Sequence, residues 1–202
     1  AMGNILSGKH IKGVPPGIKK PKKHGCAVCI QEGQASIKHN PLVDSAITTK
    51  GARLQADFGF YNKTSVRGYR CFLVIVEVRS KYGGTFTRRS KHPPIKLVVW
   101  FVIYLRKHLQ LACLCLWTDG GGELFGSEAF RQALLEIHCT VEATGVDSSN
   151  QNGKPENLIH QVTKIVHQLL FAGGANVELW CFAIIYGMLL RNLRPSTSDS
   201  MW

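Results

Sequence analysis

Acidic residues are scarce in this chain of 202 residues, which has 13 Asp and Glu side chains against 25 Lys and Arg and a formal net charge of +12. Such an imbalance favours a polyanionic partner, because a basic surface that neutralises phosphates releases their condensed counterions. The alternative is a basic surface that only keeps the protein soluble. Of the two, the charge favours a nucleic-acid partner.

Long uninterrupted hydrophobic runs are also missing. The two longest, residues 97–105 and 111–117, are separated by Arg106, Lys107 and His108, so neither reaches the length that spans a bilayer. The N-terminus lacks the apolar segment of a signal peptide. Seven cysteines lie scattered, mostly in apolar strings, which is typical of reduced core thiols and not of a disulfide scaffold. We therefore expect an intracellular protein with no membrane partner.

Apolar periodicity is weak in residues 1–50, which are rich in Lys, Gly and Pro. This composition predicts a linker or a partial module instead of a folded core. Within it, Cys26 and Cys29 have the spacing of half a zinc site. Two alternatives stay open: a Zn²⁺ site completed by an upstream or downstream histidine, or a segment without zinc. The histidines that could complete such a site are His10, His24 and His39.

Regular patterning begins at residue 51. Apolar and alternating segments predict three antiparallel strands at residues 53–60, 69–78 and 82–89, followed by further strands at 111–119 and 139–144. Helices are predicted from Ser90 to about His108, from Ser127 to Ile137, and from about Lys154 and Asn176 onward. The order predicts an α/β fold, a mixed five-stranded sheet with an antiparallel meander and then parallel strands, flanked by helices on both faces.

Three carboxylates stand at informative places in this order. Asp57 lies in the first predicted strand, Asp119 ends the fourth, and Glu156 begins the helix that follows the fifth. Reactive groups gather near the ends of adjacent strands in open sheets. Converging carboxylates repel one another unless they share a cation, and hard oxygen ligands select Mg²⁺ or Mn²⁺. Taken singly, each carboxylate reads as a turn or helix-start residue; together they predict a two-metal site for phosphoryl transfer.

The helix after Glu156 has two opposed stripes. Its polar stripe consists of Glu156, His160, Lys164 and His167, and Leu158, Val162, Ile165 and Leu169 form the apolar stripe. The polar stripe predicts that His160 and Lys164, together with Lys154 from the preceding loop, contact DNA phosphates. The alternative is a solvated helix face.

Five segments in chain order resemble the integrase core of retroviruses and LTR retrotransposons, most closely the Copia type. They span Leu54 to Ser196 and read LQADFGF, YRCFLVIVEVRSKYGGTFTRRSK, WTDGGGELFGSEAF, NQNGKPE and ELWCFAIIYGMLLRNLRPS. The resemblance implies a ribonuclease H-like fold, with residues 51–202 as the integrase catalytic core. It also implies that residues 1–50 are the remnant of an N-terminal zinc-binding module with a basic linker.

The same resemblance implies the roles of individual residues. Asp57, Asp119 and Glu156 would be the catalytic triad and the ligands of two Mg²⁺ or Mn²⁺ ions. The loop before Glu156 would bind the DNA end, with Gly145 and Gly153 as hinges. The residues that shape this loop are Gln151, Asn152, Gly153 and Lys154.

The activity that the resemblance implies is that of a polynucleotidyl transferase. Water would first process the 3′ ends of the element DNA, and the resulting 3′-hydroxyl would then attack double-stranded target DNA. Cores of this family generally form dimers or higher homo-oligomers, for which the apolar helices at residues 93–108 and 177–190 are candidate surfaces. The expected locations are the virus-like particle and the nucleus of the host cell, with the chain cut from a longer polyprotein.

Three positions depart from the family pattern. Gly120 stands where Asn is expected after the second Asp, Asn157 where Arg follows the Glu, and Glu77 where the second strand has Asp. None of them is a predicted metal ligand, but they leave open an enzyme with impaired catalysis. Two alternatives to an integrase therefore stay in play: a domesticated DNA-binding protein that has lost catalysis, and a ribonuclease H-type nuclease.

Overall fold

A computed structural model describes residues 52–119, 122–144 and 153–193 of the chain. For Thr144, Gly153 and Lys154 only the backbone is described. Several predictions fall outside these ranges, including both cysteines of the half zinc site, the three histidines that could complete it, and Gly120, Gly145, Gln151 and Asn152. These remain predictions.

The described residues form five strands and five helices. The strands are β1 (Arg53–Phe60), β2 (Cys71–Glu77), β3 (Gly83–Arg88), β4 (Cys115–Asp119) and β5 (Thr140–Thr144). The helices are α1 (Ile95–Leu109), α2 (Glu123–Gly126), α3 (Glu128–Glu136), α4 (Gly153–Ala172) and α5 (Trp180–Asn192), with a 3-10 turn at Val177–Leu179 before the last. No helix in the described ranges is both long and apolar enough to span a membrane.

The five strands form one mixed sheet in the order β3-β2-β1-β4-β5. β1 and β2 are antiparallel, as are β2 and β3, whereas β4 is parallel to both β1 and β5. β2 is buried along its whole length, as its continuous apolar sequence CFLVIVE predicts for a strand covered on both faces. The predicted mixed sheet with an antiparallel meander and parallel strands is therefore confirmed.

Each face of the sheet has its own core. On one face, residues of all parts of the sheet pack against α1, α2 and α3, and the fully buried members of this core include Leu73, Val102, Leu116 and Phe130. On the other face, Phe72, Val74 and Val76 of β2 pack against α4 and α5. Alternation along β2 explains the division, because successive side chains of a strand point to opposite faces.

Two helix starts show how local sequence sets the boundaries. Ser127 caps α3, where its side chain accepts a hydrogen bond from the Phe130 N–H at 3.3 Å, as predicted. The helix α1 begins later than the predicted start at Ser90, since its first helical residue is Ile95. The cause is the Pro93–Pro94 pair, because a proline disfavours helical backbone in the residue before it.

The predicted strand over residues 111–119 is wrong in its first half, since only Cys115–Asp119 is a strand. Arg106 explains the difference. Its guanidinium donates to the carbonyl oxygens of Ala112, Cys113, Ile137 and His138, so the backbone before β4 is held by a side chain instead of by a neighbouring strand. Cys113 adopts a left-handed backbone conformation there, with φ of 47°.

Glu77, one of the departures from the family pattern, has a structural role. Its side chain is fully buried at the end of β2, and it accepts hydrogen bonds from the Arg79 N–H at 3.0 Å and from the Ser80 N–H. The carboxylate thereby satisfies the backbone of the turn between β2 and β3. The longer Glu at this position thus stabilises the turn.

The segment near the C-terminal end of the resemblance ties α5 to the sheet. The Asn192 side chain accepts a hydrogen bond from the Gly83 N–H at 3.1 Å and donates to the Gly83 carbonyl oxygen at 2.7 Å. At the first residue of α5, the indole of Trp180 donates to the Lys63 carbonyl oxygen at 2.9 Å. These contacts fix the last residue of α5 to β3 and its first residue to the segment that follows β1.

Candidate active site

The candidate site lies where β1 and β4 run side by side. Their last ladder pair is Gln55 with Trp117, and Asp57 and Asp119 each lie two residues further along. Because side chains alternate along a strand, both aspartates point to the face that Gln55 and Trp117 occupy. Asp57 is also the β2 partner of Val74, which places it on the face covered by α4. The structure thus puts the two predicted aspartates on adjacent parallel strands, on the same face and near the same edge.

Asp57 is half-buried, and its Oδ1 accepts a hydrogen bond from the Phe58 N–H at 2.7 Å. Its pKa is raised from 3.8 to about 6, mainly because burial disfavours the charged form. The charges of Asp119 and Glu156 also raise this pKa, whereas the Phe58 N–H and the charge of Lys91 lower it. All three predicted carboxylates therefore lie close enough to interact electrostatically.

Asp119 is exposed and ends β4. Its carboxylate lies directly against Gly122, where a Cβ atom would come within 2.1 Å of Asp119 Oδ1. The Gly122 N–H also donates to the Asp119 carbonyl oxygen at 3.3 Å. A residue without a side chain is needed at position 122 to leave Asp119 in this position. The run of glycines that follows Asp119 in the sequence is the signal from which this role can be predicted.

Glu156 is an exposed residue in the first turn of α4, directly after the buried Pro155. A carboxylate is favourable there because the unpaired N–H groups of a helix start carry partial positive charge. The helix is fixed over the sheet by Leu158 and Val162, which are buried against β2. The third predicted carboxylate is therefore presented by a packed element at the edge of the site.

The remaining predicted residues of α4 have different surroundings. His160 is exposed, Lys164 is half-buried, and His167 is exposed with its ring edge-on to Tyr61 at a centroid distance of 5.9 Å. The apolar stripe packs inward, since Leu158, Val162 and Ile165 are buried and Leu169 is half-buried. The His160 side chain is thus accessible to a ligand, whereas the His167 ring packs against Tyr61.

Carboxylate oxygens have the hard donor chemistry that Mg²⁺ and Mn²⁺ prefer. In the described part of the chain, no three His, Cys, Asp or Glu side chains stand close enough to form a metal-binding group. Mg²⁺ is commonly held by only one or two carboxylates, with waters and substrate phosphates completing its octahedron. The neighbouring Asp57 and Asp119 fit that pattern, and Glu156 lies within electrostatic reach of them.

Comparison with known proteins gives a likeness in fold. No protein-family model and no curated protein matches the chain. Among solved structures, the integrase catalytic core domain of HTLV-2 in complex with magnesium is similar in both its trimeric and its dimeric form, each with a TM-score of 0.55. The identities are 16% and 17%, and the matches cover 75% of this chain and 92% and 94% of the HTLV-2 chains. The chain therefore has the fold of a retroviral integrase catalytic core.

Proposed function

We propose that this chain is the catalytic core of a Copia-type retrotransposon integrase, a polynucleotidyl transferase that joins element DNA to target DNA. The observation that carries the proposal is the placement of Asp57 and Asp119 at equivalent positions on adjacent parallel strands, with the charge of Glu156 acting on the same site. The net charge of +12 supports a DNA partner. The likeness to magnesium-bound integrase cores supports the metal.

In strand transfer, a 3′-hydroxyl oxygen bonds to the phosphorus of a target phosphodiester while the bond from that phosphorus to its own 3′ oxygen breaks. Asp57, Asp119 and Glu156 would hold the divalent ions. When bound, such ions polarise the phosphoryl group and lower the pKa of the attacking hydroxyl or water. The Phe58 N–H fixes the Asp57 carboxylate, and Gly122 leaves space for that of Asp119. The first turn of α4 places Glu156 beside the two aspartates.

The test is a strand-transfer assay on a labelled DNA end and a plasmid target, with Mn²⁺ or Mg²⁺, comparing wild type with Asp119→Asn. We expect joined product from wild type and at least about a 100-fold loss in the variant, because the ions stabilise the transition state by several kcal/mol. Thermal melting gives a readout without DNA: Mg²⁺ should raise the Tm of wild type more than that of Asp119→Asn.

Two other outcomes would replace the proposal. A domesticated DNA-binding protein predicts no joining by either protein, with DNA binding retained, and the departures Gly120 and Asn157 from the family pattern are the observations in its favour. A ribonuclease H-type nuclease predicts hydrolysis of an RNA–DNA hybrid and no joining of DNA ends.

We further propose that the core associates with a second copy through α1 and α5. Both helices expose large apolar side chains, with Trp100 and Ile103 on α1 and four more on α5. Exposed apolar patches of this kind are typical of interaction surfaces. Those on α5 are Phe182, Ile185, Tyr186 and Leu189. Sedimentation analysis of Ile185→Glu should show a monomer where wild type sediments as a larger species; unchanged sedimentation would exclude α5 as part of the interface.

A further inference from the structure

Three side chains from three separate segments meet at the carboxyl end of β1. Phe60 is the last residue of β1, Lys91 lies between β3 and α1, and Glu123 is the first residue of α2. The Lys91 ammonium lies 4.9 Å from the centroid of the Phe60 ring and 3.6 Å from a Glu123 carboxylate oxygen. We call these three residues the rim cluster.

The rim cluster is open to solvent. Phe60 is 56% exposed and lies at the end of a strand whose centre is buried. The side chains of Lys91 and Glu123 are 44% and 49% exposed. An ion pair at this exposure contributes little to stability, so a phosphate can replace the Glu123 carboxylate on Lys91 at small cost. The cluster therefore combines an accessible aromatic ring with an exchangeable cation.

The rim cluster adjoins the carboxylate site. Phe60 lies three residues beyond Asp57 on the same strand, about 10 Å at the usual rise of a strand, and this odd spacing puts the two side chains on opposite faces of the sheet at the same strand end. This distance equals about three base steps of duplex DNA, at 3.4 Å per step on each strand. The charge of Lys91 also reaches Asp57, whose pKa it lowers. A DNA strand whose phosphate lies at the carboxylates can therefore reach Lys91 and, by passing over the end of β1, also Phe60.

We propose that the rim cluster is a binding subsite for an unpaired nucleotide of the DNA strand that enters the carboxylate site, which rests on the proposed function. Phe60 contacts the base, because stacking on an exposed aromatic ring tolerates any base. Lys91 binds the adjoining phosphate. In the free protein the Glu123 carboxylate pairs with the Lys91 ammonium and holds it in place. When DNA binds, the ammonium leaves Glu123 and binds the phosphate.

The phosphate contact is tested by fluorescence anisotropy with a labelled 20-base-pair duplex that carries two unpaired nucleotides at one end, in EDTA so that no reaction occurs. Lys91→Ala should bind several-fold more weakly, and the slope of log affinity against log salt should fall by about one phosphate contact. Glu123→Gln should bind about three-fold more tightly. Lys107→Ala, a change at an exposed lysine in the last turn of α1, is the matched control.

The order of action inside the rim cluster is tested with the double variant Lys91→Ala/Glu123→Gln. It should bind like Lys91→Ala alone, because Glu123 acts by occupying Lys91. A gain from Glu123→Gln that persists without Lys91 would overturn this masking role, and an unchanged salt slope in Lys91→Ala would overturn the phosphate contact.

The base contact is tested by comparing the end with unpaired nucleotides against a blunt duplex of the same length. Phe60→Ala should weaken binding of the unpaired end roughly ten-fold and leave the blunt duplex almost unchanged, since bases inside a duplex are stacked on their neighbours and cannot turn onto the ring. Phe171→Ala is the matched control, because Phe171 is also 56% exposed but lies at the end of α4. Equal losses on both duplexes would overturn the base contact.

These binding measurements are independent of catalysis. If Asp119→Asn abolishes joining while Phe60→Ala binds both duplexes like wild type, the rim subsite is wrong and the integrase activity stands. If no protein joins DNA but Phe60→Ala and Lys91→Ala behave as expected, the activity is wrong and the subsite stands as a DNA contact.

Discussion

Two halves of one sheet face differ in how they are covered. Helices α4 and α5 cover β1 and β2, and we call these two helices the roof. Phe72 is fully buried beneath the roof, and Trp180 is fully buried within it. Over β4 and β5, Trp117 lies half-buried, with the Arg53 guanidinium 3.6 Å from its ring and its indole N–H donating to Glu142 at 2.8 Å. Asp57 belongs to the roofed half and Asp119 to the open half. The candidate site therefore lies at the boundary between the two halves, where packed helices hold one carboxylate and solvent reaches the other.

The two tryptophans offer the sharpest test of this difference, and the larger effect belongs to Trp180. Its ring stacks on Tyr61 at 4.8 Å and also contacts Phe72. Trp180→Ala should lower the free energy of unfolding by about 4 kcal/mol, because it leaves a large cavity in a buried cluster. Urea denaturation measures the change, and a loss below about 2 kcal/mol would show that the roof is loosely packed.

Gly59→Ala should have the next largest effect, about 3 kcal/mol. Gly59 pairs with Phe72 across β1 and β2, and an added Cβ would come within 2.2 Å of the Phe72 ring. Since that ring is held by Tyr61 and Trp180, it cannot move without disturbing both. Gly126→Ala is the control, because nothing lies within 4 Å of the added methyl group there, and it should change stability by less than about 0.5 kcal/mol.

Trp117→Ala should cost only about 1 to 2 kcal/mol. The change removes one cation–π contact and one hydrogen bond from a half-exposed residue and leaves no closed cavity. Urea denaturation beside Trp180→Ala provides the measurement. Equal losses in the two variants would contradict the division into a roofed and an open half.

The last effect concerns Asp57 and depends on pH. Its pKa is about 6 in the folded protein against 3.8 ordinarily, so between these values the folded state binds the proton more tightly. The charged form is therefore destabilising above pH 6, and this contribution disappears as the pH falls below about 4. In metal-free buffer, Asp57→Asn should raise the Tm at pH 7 and change it little at pH 4. A difference in Tm that is constant across this range would contradict the burial of a charged Asp57.

Strand patterns and carboxylate positions could be predicted because they depend on local sequence. The continuous apolar sequence of β2 predicts a buried strand, and the polar residues at the end of β4 predict where that strand ends. The backbone around Cys113 could not be predicted, since its conformation depends on Arg106, which reaches across from α1. The rim cluster has no sequence signal for a related reason: Phe60, Lys91 and Glu123 come from three separate segments and share no periodicity. Contacts made by single residues from distant segments leave no pattern in the sequence.

The pairing of Asn192 with Gly83 has a consequence for how the protein can be handled. β3 is an edge strand, and unpaired backbone at a sheet edge invites other chains to add to it. Asn192 occupies both backbone groups of Gly83 from 109 positions away in the chain. A version that stops before residue 192 would leave this corner uncapped, and during synthesis it stays uncapped until the end of α5 has emerged.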